Sequence, residues 1–542
     1  MNLIAKLAGI LCIVLCSCCI TGAQHLSDKS RSHSAFQPFD IRTIDPGLFK
    51  DAYAILGMER LMHPIDMADW PLKIGSERQL FVDDFLIASC QGLTRQLHQP
   101  VPHPDNPVMK TREHPWEEMD GFSLFVLRDE QNGQFRMWYN SRIIYEAENG
   151  LRYRGPTGYA TSADGVHWTK PDLGLVKYGP DRHNNIVLGE GSINGLFYEP
   201  HTPDLQNRYK ALVWHDPREQ AEYAPREGLY LYWSPDGIHW KGDSQTCVMP
   251  LRTGPDTTFP ETLVPGMGDT TNFIFDTKLN KYVCNGKILF RNPTMRTIAH
   301  SESDDLVHWT RPIMTMHRGQ LDGDNQIGEI TRIPYESMWL GLLGMYHWDR
   351  GWKQKHQQLA ASRDGRHWYR VNPREAFIPL GAEDSWEPDF TIAGRPGPLL
   401  IGDELWFYYT GRQRAERFQE QGIDAPHNQH VGLAKLRRDG FVSLRAGDKP
   451  GELVTRPLTF AGSRLYVNVA TEPGGYLEVG VRTRDGEPVS GFALKDANRI
   501  TGDGTRILVT WSRGTDIPLP AGKHVRLQFR LKNADLYSFW IE

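Results

Sequence analysis

Carboxylates gather ahead of apolar, alternating runs at four of five corresponding places in this chain, the second offering little acid. "PWEEMDGFSLF" carries Glu117, Glu118 and Asp120, and "EGSINGLFYEP" carries Glu190 with Asn194. "GDTTNFIFD" carries Asp269 and Asn272, "LDGDNQIGEIT" carries Asp322, Asp324 and Glu329, and "EDSWEPDFTI" carries Glu387 and Asp389. Clustered acids suit a chemistry in which one carboxyl stays protonated to donate to a leaving oxygen while another stays ionised, to attack or to activate water; cleavage of a glycosidic bond has this requirement. Mutual repulsion and partial burial raise one pKa while leaving the other low. Each acid taken singly also fits a turn-capping role, since Asp and Asn side chains bond nearby backbone. Their recurrence is what points to a site.

The elements that would position them repeat. "YATSADGVHWTK" from Tyr159 returns as "YWSPDGIHWKG" from Tyr232, "AHSESDDLVHWTR" from Ala299 and "AASRDGRHWYR" from Ala360. A degenerate copy, "LAKLRRDGFVSL", holds Asp439. The spacing of about 60–75 residues is a structural repeat period. An Asp-Gly step between alternating runs reads as a hairpin, because Gly accepts the positive φ of a tight turn. Two further strands precede each copy, as in "RYKALVWH" and "MWLGLLGMY". Four strands repeated five times predict an all-β, five-bladed β-propeller over residues 75–447. Residues 448–542 ("RLYVNVAT", "YLEVGVRT", "RILVTW", "HVRLQFRL", "LYSFWIE") predict a β-sandwich. One active site needs one base, so His167, His239, His308 and His367, equivalent in every copy, read as structural; the Trp that follows each reads as packing between blades.

The 542 residues exceed one small core, and 16 Trp supply ample material for several. The net charge of −5 and the lack of a basic block exclude nucleic acid as a partner. Residues 1–23, "MNLIAKLAGILCIVLCSCCITGA", read as a secretory signal, and their apolar run is short for a membrane span, so the mature chain is expected to be secreted or periplasmic with no transmembrane span. Lipidation at Cys18 is the less favoured alternative. Residues 24–74 read as a linker with one short helix around "GLFKDAYAILGMERL". Cys90, Cys247 and Cys284 remain in the mature chain, enough for one disulfide at most and without metal-ligand spacing. Nothing in the sequence fixes an oligomeric state.

The five copies, the "SxDGxxW" hairpins and the C-terminal β domain resemble the five-bladed propeller glycosidases of families 43 and 32, and in particular secreted bacterial proteins of that superfamily. The resemblance spans roughly residues 75–542. It implies a carbohydrate substrate, a central funnel, and active groups at the starting ends of the innermost strands. The fructosidase motif "NDPNG" is missing, which speaks against a fructan. A sialidase Asp-box has one residue between Asp and Gly, whereas three copies here have them adjacent. With this topology the acids converge on one mouth. Asp120 is then expected as base or nucleophile, Asp269 as the group that orients and tunes, and Glu329 as the acid. Trp116, Glu117, Asp324, Trp386, Glu387 and Arg296 are expected to bind substrate, with Phe259, Trp348, Arg291 and His347 nearby. Aromatic rings stack on the apolar face of a sugar, and Arg suits an acidic one through its planar fork. No cofactor or catalytic metal is expected; acids at the mouth would accommodate a structural Ca²⁺. The alternatives are a non-catalytic carbohydrate-binding propeller and a propeller phosphorylase or lyase.

Overall fold

The computed structural model describes residues 69–542 except 118, 148–149, 179, 181, 190, 216–226, 251–270, 292–293, 320–321, 348–352, 372–373, 414–427 and 519–523. The signal and most of the expected linker lie outside the described residues. Those that are described form an all-β chain of several sheets, with short 3₁₀ turns as its helical elements.

The alternating runs become antiparallel meanders. The first runs through Met119–Arg128, Phe135–Ala147, Thr157–Ser162 and Ile186–Leu188. The second uses Ser192–Tyr198, Tyr209–His215, Gly228–Ser234 and Lys241–Pro250. The third uses Thr271–Asp276, Lys281–Arg291, Thr294–Ser303 and Ile313–His317. The fourth begins with Gln326–Tyr335, Met338–His347 and Gln354–Ser362, which Ala376–Ile378 then pairs. The fifth uses Phe390–Ala393, Glu404–Gln413 and Asn428–Arg437, and joins the fourth through one parallel contact, Lys355 with Phe390.

The fifth meander takes its outer edge from the other end of the chain. Val101–Pro102 and Met109–Lys110 pair with Asn428–Arg437. The run after Asp439, expected to finish this repeat, leaves it: Val442–Ala446 pairs with Thr94–Leu97 and with Val525–Ile541. Residue 75 therefore does not open the repeat region, since the strands from Leu72 to Leu97 all belong to the C-terminal sheet. That sheet has ten strands. Its two long strands, Leu465–Thr483 and Val525–Ile541, each fuse two of the expected short strands, with pairing interrupted between Thr471 and Tyr476. Phe81, Leu453, Val467, Leu477, Phe529 and Phe539 anchor its core.

The repeated turn is a fastener. In the first copy Asp164 Oδ1 accepts the backbone N–H of Val166 and His167, both at 2.8 Å, while Ser162 Oγ accepts that of Gly165 at 2.9 Å. The copies at Asp236, Asp305 and Asp364 do the same. Gly237, at φ +76°, shows why glycine is needed: the conformation is left-handed, and a Cβ would lie 2.7 Å from Trp138. The turn carbonyls serve the preceding meander, since Trp138 Nε1 donates to Gly237 O and Tyr408 Oη to Gly165 O, both at 2.7 Å. Each repeat Trp joins a core shared with that neighbour: Trp168 with the fifth meander, Trp240 with the first, Trp309 with the second and Trp368 with the third. Phe441 fills this place in the degenerate copy, between the fourth and fifth.

Candidate active site

Five leading strands carry the candidate groups, and polar side chains on them meet. Ser123 Oγ lies 3.3 Å from Asn194 Oδ1, and Arg395 donates from one Nη1 to Ser123 Oγ (3.3 Å) and Asn194 O (3.0 Å). Backbone bonds join Arg395 to the first leading strand as well: its N–H donates to Leu124 O at 2.8 Å, and its carbonyl accepts from Val126 at 3.0 Å. Burial holds the Arg395 guanidinium below its ordinary pKa, and the charge of Glu329 opposes that shift. First, second and fifth meanders thus meet at Arg395.

Glu329 sits four residues into its strand and is 6% exposed. Lys355, 1% exposed, donates from Nζ to Glu329 Oε1 at 2.7 Å. A buried carboxylate whose oxygen accepts from an ammonium is placed to act as an acceptor or a nucleophile. Residues 388–389 run alongside the strand that carries Lys355, because Lys355 N–H donates to Asp389 O at 2.8 Å and Gln354 Nε2 to Pro388 O at 3.3 Å.

Glu387 has the opposite setting. Its Oε2 is buried with no hydrogen-bond partner among the described residues. Burial pushes its carboxyl up to about 7. Trp386 stacks on Tyr409 with centroids 5.8 Å apart and lies 6.2 Å from His430. Gly411 makes room for both residues, since a Cβ there would come within 2.4 Å of Glu387 and 2.6 Å of Trp386. A protonatable acid next to an aromatic wall is a candidate donor, as the ion-paired Glu329 is a candidate acceptor.

The other expected residues scatter. Glu117 is 1% exposed and fully engaged: Tyr139 Oη donates to it at 2.5 Å, Lys170 Nζ approaches Oε1 at 2.9 Å and Oε2 at 3.0 Å, and the Glu113 N–H donates at 3.1 Å. Trp116 donates to Asn185 at 2.9 Å and stacks on His114. Asp324 is exposed, whereas Asp322 is buried and ion-paired with Arg370. Arg296 lies over the Tyr346 ring at 4.6 Å. Asp120 pairs through its backbone with Ser141, but its side chain, like all of Asp269, Phe259 and Trp348, lies outside the described residues. Among the described residues Cys90, Cys247 and Cys284 form no disulfide with one another. Among the described residues no group of three or more His, Cys, Asp and Glu is placed to hold a metal, and no helix is long and apolar enough to cross a membrane.

Sequence reasoning passed over Lys355 and Arg395. The signal for Lys355 was available: "QKHQQLAAS" is a strand with a basic residue at its head, and such a residue, once buried, requires an acid.

No protein-family model and no curated protein sequence matches the chain. Similar solved structures include an N-acetylgalactosamine deacetylase from F. plautii in complex with blood group B trisaccharide, at 13% identity and TM-score 0.40, covering 65% of this chain and 97% of that one. A glycosyl hydrolase from Bacteroides ovatus matches at 16% identity and TM-score 0.40, over 66% and 96% of the two chains. A β-1,2-mannobiose phosphorylase from Listeria innocua matches at 13% identity and TM-score 0.41, over 63% and 97%. Overlap at these scores leaves the chemistry to the side chains themselves.

Proposed function

We propose that this chain is a secreted or periplasmic glycan-processing enzyme on a five-bladed propeller, with a C-terminal sandwich, and that it cleaves a glycosidic bond between Glu387 and Glu329. The blade count is supported by five cores, each shared by two successive meanders, the last joining the fifth back to the first. The observation that carries the chemistry is the unequal pair of acids. Glu387, desolvated and at about 7, holds a proton near neutral pH and gives it to the leaving oxygen. Glu329, ion-paired with Lys355, accepts a proton from water or attacks the sugar carbon. This exchanges the role first expected of Glu329.

A screen of plant, algal and yeast glycans with reducing-end detection tests the reading. Product from the wild-type chain and none from Glu387→Gln is the expected result. Binding without product from the wild type would instead support a carbohydrate-binding protein.

Phosphorolysis is a second reading, favoured by the cations around Tyr346. Lys353 Nζ lies 4.2 Å, Arg296 Cζ 4.6 Å and Lys355 Nζ 5.3 Å from its ring centroid. A rate that depends on inorganic phosphate, with sugar phosphate as product, would select it over hydrolysis.

A further inference from the structure

The far ends of the five leading strands line a cavity. Leu127, Tyr198, Phe275, Pro334 and Pro396 all line it, one from each meander or the residues that follow it. Its volume is about 710 Å³, within the ~300–1,000 Å³ usual for small-molecule sites. Pro334 lies five residues beyond Glu329, about 16 Å along an extended strand. Arg395 separates the two ends. Its backbone adjoins Pro396 at the cavity, while its 5% exposed side chain crosses to Ser123 and Asn194, four residues short of Leu127 and Tyr198. A ligand in the cavity therefore does not reach Glu329.

The lining combines two properties that seldom occur together on an idle surface. Phe275 is 41% exposed, one of few large apolar side chains left open in the described residues. It meets Tyr282 edge-on at 5.1 Å, and Tyr198 stacks on Tyr209 at 4.6 Å, so the rings that face the cavity are held in place. Between them Glu199 is fixed as an acceptor by Lys210, at 2.7 and 2.9 Å, and by the Tyr282 hydroxyl. Glu130 and Asp304 add further carboxylates. Arg128 also lines the cavity, and Lys210 and Lys281 pair with Glu199 and Asp304, so the lining carries both signs of charge and singles out neither an anion nor a cation, while its polar groups disfavour a purely apolar ligand. Oriented rings beside a fixed carboxylate match the CH faces and hydroxyls of an uncharged sugar.

We propose that this cavity is a second, non-catalytic binding site for a neutral oligosaccharide, which holds the enzyme on its polymer while the opposite mouth acts. The identity of the ligand as a glycan rests on the function proposed above; the separateness of the site does not. Calorimetric titration of the full chain with neutral hexaoses (cello-, manno-, xylo- and arabino-) tests it. At least one should bind, Phe275→Ala should weaken that binding about tenfold, the worth of one stacked ring, and Phe275→Trp should retain it. Glu387→Gln should leave this binding unchanged, and Phe275→Ala should leave turnover of a short soluble substrate unchanged. Failure of every hexaose to bind, or equal affinity in Phe275→Ala, overturns the proposal. Phe275-dependent binding with no product from any glycan leaves the site standing and removes the enzymatic reading instead.

Discussion

The dipeptide Trp-Glu occurs twice in this chain, at Trp116–Glu117 and Trp386–Glu387, each time just before a leading strand. The two carboxylates end in opposite states. Glu117 closes a 3₁₀ turn and is bonded by a phenol, an ammonium and a backbone amide. Glu387 is pressed against Trp386 and Gly411, with one oxygen buried and unbonded among the described residues. The same two letters thus give a structural tie in one meander and, in another, an acid whose pKa burial raises. What separates them is supply of donors. Near Glu117 the second strand of the meander brings Tyr139 and the segment after the repeat turn brings Lys170; near Glu387 the neighbours include rings and a glycine.

The sharpest way to break this contrast is to neutralise both. Glu387→Gln should lower kcat by about 10²–10⁴, the worth of a positioned general acid, while Glu117→Gln should leave kcat within a few-fold. Equal losses would mean that Glu117 also reaches substrate. Stability should divide in reverse. Glu117→Leu strands Lys170 and Tyr139 beside an apolar group and should cost about 3 kcal/mol, the lower part of the range for breaking a buried ion pair, read from urea midpoints at constant m. Glu387→Leu should cost less or even stabilise, since it removes an unpaired buried acid.

The titration of Glu387 gives the next test. Its pKa in the folded chain, about 7, lies above the unfolded value near 4.5, so the folded state binds more protons between those limits. Its contribution to stability is therefore present below about pH 4.5 and is lost as pH rises to about 7, with no further change above. Glu387→Gln should flatten that part of the stability profile. Activity should fall as pH rises through about 7, and the variant should lack that limb. A wild-type profile flat from pH 6 to 8 would remove Glu387 from the acid role.

The repeat was legible because every copy solves the same problem. In four copies the turn satisfies two or three backbone amides and seats a Trp against a neighbouring meander, so residue type and spacing recur. The closing of the last meander was not legible, because Val101–Pro102 and Met109–Lys110 are two-residue strands whose partner lies over 300 residues away. The strands from Leu72 to Leu97 misled for the same reason: alternation in "RQLFVDDFLI" announces a strand but not its sheet. Glu329 and Glu387 could be nominated as site candidates from position alone. Their roles could not, since Lys355 beside one and Gly411 beside the other come from strands separate from theirs.

A smaller effect should follow from Gly411→Ala. The new methyl must displace Glu387 and Trp386 together, so kcat should fall about tenfold through misplacement of the acid, while Glu117 and its partners, on another meander, feel nothing. Unchanged kcat would show that the position of Glu387 is not critical.

The smallest effect should come from the repeated histidine, and it tests whether the contrast between repeated and unrepeated residues is sound. His308 Nδ1 lies 2.7 Å from Asp305 Oδ2, yet the ring is 86% exposed. Solvent screens that pair, and the turn itself is held by Asp305 Oδ1 and Ser303 Oγ through backbone amides. His308→Ala should therefore leave kcat unchanged and shift the melting midpoint by only about 1 °C. Asp305→Ala removes the acceptor of two amides and should shift it several-fold more. If His308→Ala abolished activity, a residue common to four repeats would be doing chemistry, and the division drawn between Glu117 and Glu387 would have to be drawn within the repeats as well.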